Sequence, residues 1–102
     1  MTLTHGQIWW ADLDKVRPAL VLTRGNVAPL MRRIVVAPIT TRSRGLATEV
    51  SLGRDQGLDQ ACVANLDNVQ LVDVERLLGQ IGAIGAERWP EVCEALARSI
   101  GC

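Results

Sequence analysis

Short apolar runs broken by turn residues, one helical repeat confined to the C-terminus, and an aliphatic core vocabulary predict a mainly β protein with a terminal helix. The expected architecture is a small, mostly antiparallel barrel or half-barrel with that helix packed on it. The chain has 102 residues, which suits one domain over 1–102 with a single modest core and no disulfide or metal staples. Apolar residues make up 48%, yet Phe and Tyr are absent and the aromatics are Trp9, Trp10 and Trp89. Val, Leu, Ile and Ala must therefore build the core.

In chain order, Gly6 to Asp12 reads as a first strand, with Ile8 and Trp10 on one face and Trp9 on the other. The tryptophans are expected to pack in the core, with base stacking the rival role. Leu13 to Val16 is a connection, and Pro18 to Thr23 a second strand opened by a proline where no ladder donor is yet needed. Arg24-Gly25-Asn26 is turn chemistry, and Val27 to Arg33 a loop. Ile34 to Ile39 is apolar throughout, as a central strand should be. Thr41 to Ala47 is a polar, basic loop bending at Gly45, and Thr48 to Leu52 alternates as a fourth strand.

Gly53 to Gln60 is a loop and Ala61 to Leu66 a fifth strand, which Asn68 to Leu71 continues or pairs with after a kink. Val72 to Leu78 suits one helical turn capped by Asp73, and Gly79 to Ile84 a short strand. Glu87 to Ile100 is the helix, with Trp89, Val92, Cys93, Leu96, Ala97 and Ile100 on one face, acids early and Arg98 late. Pro90 falls in its first turn, and Gly101 is the stop.

Several functions are excluded at this level. No apolar run nears the roughly 20 residues of a membrane span, and no signal-peptide pattern opens the chain. Cys62, Cys93 and Cys102 form no CxxC pair, so reduced thiols in a cytoplasmic protein are expected. P-loop, GxGxxG, HExxH and GxSxG motifs are missing. The sole histidine, His5, is expected to be solvated, and Asp12 with Asp14 makes a poor metal site, so no metal or cofactor is expected.

Net charge is zero, but it is unevenly spread. From Lys15 to Arg54 lie eight cations against one anion, Glu49, while the rest of the chain holds three cations and ten anions. Such a dipolar chain can turn a basic face to a polyanion; solvated loop arginines are the plainer reading. Within the basic window, Arg17 precedes Pro18 at the head of one strand, and Thr40 and Thr41 close the next. Taken singly, these are a loop cation and turn formers.

Read together, four segments change their weight: Gly6-Gln7-Ile8-Trp9 with Ala11-Asp12-Leu13, Arg17-Pro18-Ala19-Leu20-Val21-Leu22, Val36-Ala37-Pro38-Ile39-Thr40-Thr41, and Leu66-Asp67-Asn68-Val69. In this order they resemble the MazF/PemK family of toxin–antitoxin ribonucleases over nearly the whole chain. That resemblance implies an SH3-like, CcdB/PemK/MazF-type barrel and a homodimer. It also implies metal-independent, sequence-specific cleavage of single-stranded RNA, and a cognate antitoxin protein that blocks the RNA groove. Carried over by position, the catalytic residues are Arg17, Thr40 and Asp67. The candidate RNA contacts are Lys15, Arg24, Thr41, Arg42, Arg44 and Asn68. Asp14-Lys15-Val16 replaces a longer glycine-rich loop, and Asn65 stands where some members carry an Arg, so neither the cleavage sequence nor a second-arginine mechanism transfers.

The implied reaction is attack of the RNA 2′-hydroxyl on the adjacent phosphorus, leaving a 2′,3′-cyclic phosphate and a 5′-hydroxyl. Arg17 would stabilise the phosphorane charge and Thr40 donate one hydrogen bond. Asp67 would either take the 2′-hydroxyl proton or orient Arg17. Two alternatives remain open: a gyrase-poisoning toxin of the same fold that cuts nothing, and a non-catalytic RNA-binding barrel.

Overall fold

The computed structural model describes residues 3–25 and 27–101. Its strands are β1 (Gln7–Asp12), β2 (Val16–Val21), β3 (Arg33–Thr40), β4 (Glu49–Leu52), β5 (Cys62–Asn65), β6 (Gln70–Asp73) and β7 (Leu77–Ala83), followed by helix α1 (Trp89–Ser99). All pairings are antiparallel, in the order β4-β5-β3-β2-β1-β7, with β6 joined to β3. The β4 and β7 ends of this path do not pair, so the expected barrel is an open half-barrel. No helix among the described residues is long and apolar enough to cross a membrane.

β3 is the central strand, as its unbroken apolar run requires. One edge carries β2; the other carries β6 along its first half and β5 at its end. β6 therefore pairs with β3, not with β5 as the sequence suggested. A 3₁₀ turn over Leu66–Asn68 redirects the chain between them. Leu66 is fully buried, and that anchor fixes the turn.

Two apolar clusters lie on opposite faces of the sheet. The larger gathers Ile8, Leu20, Ile39, Leu52 and Leu66 beneath Val92 and Ala95 of α1; the smaller holds Ala11, Ala19, Val21, Ile34 and Val36. Ile8 and Trp9 fall in different clusters, as period two demands. Trp10 departs from the core reading: it is 44% exposed. Helix α1 buries Val92 and Ala95, whereas Cys93, Ala97 and Ile100 are exposed, so the apolar face is rotated from the expected one. Arg88 ties the helix start to β4 by hydrogen bonds to Glu91 and to the Ser51 carbonyl, the latter at 2.8 Å.

Loop 53–60 lies directly on β7. Gly57 has φ +93°, and a Cβ there would sit 2.7 Å from the Ile81 carbonyl, while one on Gly82 would meet the Gln56 carbonyl at 2.0 Å. Only glycine allows this approach. Two local expectations change. Asp73 makes no cap hydrogen bond to the 3₁₀ turn Val74–Arg76, because its carboxylate accepts from Arg33. His5 is not simply solvated: its Nδ1 accepts the Gly25 N–H at 3.1 Å and its ring lies 4.9 Å from that of Trp89. Cys62 and Cys93 are free thiols; Asn26 of the expected turn and Cys102 lie outside the described residues.

Candidate active site

The β2–β3 ladder explains why two residues distant in sequence meet. Ala19 faces Pro38, Leu20 faces Ala37 and Val21 faces Val36. Two further steps of the same register bring Arg17 opposite Thr40. Both line a cleft of about 170 Å³ together with Arg42, Arg44, Asn65 and Asn68. An adjoining cleft joins Arg17 to Asp14, Asp67 and Asn68. Arg17 and Asn68 thus line both clefts, with Thr40, Arg42 and Arg44 in the first and Asp67 in the second.

Arg17 is held rather than waving in solvent. Its side chain is 22% exposed, and Nη2 donates to Asp14 Oδ2 at 2.9 Å. Its Nε is shielded from water and has no partner among the described residues. A buried donor left unpaired costs about 1–3 kcal/mol, and groups that tolerate such a cost concentrate at ligand sites. The carboxylate that pairs with Arg17 is Asp14. Asp67 accepts from Thr48 Oγ1 at 2.6 Å, and its N–H donates to Asn65 Oδ1 at 2.9 Å. It is exposed on the Leu66–Asn68 turn with carboxylate capacity to spare. Thr40 Oγ1 accepts the Arg42 N–H at 3.2 Å, which leaves its hydroxyl hydrogen for another acceptor.

The basic loop after β3 is organised by one residue. Glu49 accepts the Arg44 N–H at 3.1 and 3.0 Å, the Leu46 N–H at 3.1 Å and the Ser43 hydroxyl at 3.3 Å. The Arg44 amide above all, with Leu46 and Ser43 adding to it, pulls the Glu49 carboxyl below its ordinary value. Sequence reading passed over Glu49, Thr48 and Asn65 as site builders. Glu49 did carry a signal, being the lone acid in the basic window.

Three candidates sit apart. Arg24 lies beyond the far end of β2 from Arg17, so it does not join this group. Lys15 is exposed in the bend before β2, and Thr41 opens onto a different cavity with Trp10 and Leu58. In that cavity, burial and then the Asp59 carboxylate push the Cys62 thiol up, which keeps it protonated and unsuited to nucleophilic attack. Among the described residues no three His, Cys, Asp or Glu side chains converge as a metal-ligand set.

A guanidinium, a hydroxyl and two exposed arginines line one cleft of an open antiparallel sheet, a donor set with the chemistry to hold an oxyanion. The model of the PemK-like, MazF-like toxins of type II toxin–antitoxin systems matches residues 4–100. "Endoribonuclease MazF3" of Mycobacterium tuberculosis is 46% identical over 89 residues, covering 87% of this chain and 86% of that protein. "Probable endoribonuclease MazF5" of the same organism is 38% identical over 102 residues, covering 96% and 93%. Among solved structures, the Mycobacterium tuberculosis toxin MazF-mt6 superposes with a TM-score of 0.89 at 45% identity, covering 91% of this chain and 94% of the other. A MazE-MazF crystal structure from Deinococcus radiodurans superposes at 0.83 and 25% identity, covering 100% and 99%. The chain belongs to the PemK-like, MazF-like toxin family.

Proposed function

We propose that this chain is the toxin of a type II toxin–antitoxin pair, an endoribonuclease that cuts single-stranded RNA without a metal ion. The observation that carries the reading is the half-buried Arg17, with its shielded Nε unpaired, across the cleft from the Thr40 hydroxyl. The activity for which the relatives are named supports the same class of reaction.

In the proposed step the 2′-oxygen attacks phosphorus and the bond from phosphorus to the 5′-oxygen breaks. Asp67 takes the 2′-hydroxyl proton, and the leaving 5′-oxygen takes a proton from solvent water. Arg17 neutralises the charge building on the non-bridging oxygens, and Thr40 donates one hydrogen bond to the same phosphate. A guanidinium gives up a proton reluctantly, so charge stabilisation is the task of Arg17. Arg44, set by the Glu49 clamp, and Arg42, whose N–H is tied to Thr40, hold the flanking backbone by charge. Exposed Val69 and Leu71 beside the cleft suit cover by a second copy of the chain. An antitoxin segment occupying the cleft would block it.

Purified protein incubated with RNA in EDTA should release fragments ending in 5′-hydroxyl and 2′,3′-cyclic phosphate. Sequencing those ends gives the recognition sequence. RNA bound but uncut would favour the non-catalytic barrel. No RNA binding together with inhibited gyrase would favour the gyrase poison.

A further inference from the structure

Asp67 is exposed, so packing does not hold its side chain. A group that takes the 2′-hydroxyl proton must nevertheless stand within hydrogen-bond reach of it. Two contacts supply the missing rigidity. Thr48 Oγ1 donates to Asp67 Oδ2 at 2.6 Å, and the Asp67 N–H donates to Asn65 Oδ1 at 2.9 Å. Asp67 Oδ1 accepts no hydrogen bond among the described residues, so one carboxylate oxygen is occupied and the other is free.

Thr48 is itself anchored. Its carbonyl accepts the N–H of the fully buried Leu66 at 3.0 Å, and the next residue, Glu49, opens β4 opposite Asn65. Branching at Cβ restricts its rotamer as well. The hydroxyl is therefore a fixed post at the foot of β4. Thr48 lines neither of the clefts that hold Arg17, whereas Asp67 lines one of them. Whatever Thr48 does for the reaction, it does through Asp67.

We infer that Thr48 is a positioning residue: its hydroxyl holds the Asp67 carboxylate in one orientation and leaves Oδ1 to take the 2′-hydroxyl proton. The inference rests on the RNA-cutting function and on the part given to Asp67 above. Without that hydroxyl, the exposed carboxylate turns among its staggered rotamers and is less often in reach of the proton. The loss falls on the chemical step and not on RNA binding, because Thr48 touches no substrate. The segment from Thr41 to Thr48 then has two tasks: Arg42 and Arg44 hold the RNA backbone, and Thr48 sets the base.

The test removes the hydroxyl while keeping the shape. In steady-state cleavage, Thr48→Val should lower kcat about tenfold, the weight of one hydrogen bond to a charged group, with KM within about twofold. Thr48→Ser, which keeps the hydroxyl, should restore most of the rate. In an Asp67→Ala background, Thr48→Val should slow cutting little further, since the group it positions is gone. Three results would overturn the inference. Thr48→Val cutting at the wild-type rate is the first. The same loss with and without Asp67 is the second, because Thr48 would then only support the fold. A loss confined to KM is the third, because Thr48 would then be an RNA contact. If Asp67→Ala cuts as fast as wild type, the inference fails while RNA cutting by Arg17 and Thr40 stands; a wild type that cuts nothing ends both.

Discussion

Two arginine–carboxylate pairs mark the two ends of β3. Arg33, at its start, pairs with Asp73 of β6 at 3.1 Å, with side chains 67% and 54% exposed. Arg17, opposite Thr40 at its end, pairs with Asp14 at 2.9 Å but is only 22% exposed. The chemistry is the same and the setting differs. The first pair lies in water, where such contacts contribute about 0–1 kcal/mol and close an edge strand. The second grips one side of a guanidinium while leaving Nε dry and unpaired at the wall of a cleft. The Arg33 pair is open to water, whereas the Arg17 pair leaves a shielded donor without a partner among the described residues.

The largest separation between the pairs should come from removing the arginines. Arg17→Ala should cut RNA about 100- to 1000-fold more slowly, the weight of one lost charge-stabilising donor, with an unchanged melting temperature. Arg33→Ala should leave the cutting rate within about twofold and stability within about 1 kcal/mol. Single-turnover cleavage and thermal melts decide this, and equal losses from the two would erase the distinction. Next come the carboxylates. Asp14→Asn should lower kcat roughly tenfold with little change in KM, since it loosens the fork by about 1.5 kcal/mol. Asp73→Asn should do neither.

The smallest effect concerns the loop that borders the Arg17 cleft. The Glu49 carboxyl lies below its ordinary value of 4.5, because its charged form accepts the loop hydrogen bonds. A depressed pKa in the folded state means the clamp is fully present above 4.5 and is lost as pH falls through the folded value. The Arg44 amide resonance should therefore titrate with a midpoint below 4.5. A midpoint at or above 4.5 would contradict the clamp.

The strand content was legible where chemistry is local. Ile34 to Ile39 could only be a strand buried on both faces, and the Arg-Pro and Ile-Thr-Thr boundaries follow from proline and hydroxyl placement. Pairings that depend on distant partners were not. β6 chose β3 over β5 because the buried Leu66 turns the chain, and Asp73 left its expected cap for Arg33. The face of α1 shifted to Val92 and Ala95 because it packs on the larger core cluster, a surface no helical period reveals. Arg17 and Thr40 were visible as a pair only through the family resemblance. The register that joins them, and the Asp14, Thr48, Asn65 and Glu49 contacts that set the site, needed the fold.

The central claim is that Arg17 and Thr40 act on one phosphate. Single-turnover cleavage by Arg17→Lys, Thr40→Val and the double variant tests it most directly. Groups that grip the same atoms fail together, so the double variant should be little slower than the worse single one. Losses that multiply would place the two side chains on separate tasks and contradict the account.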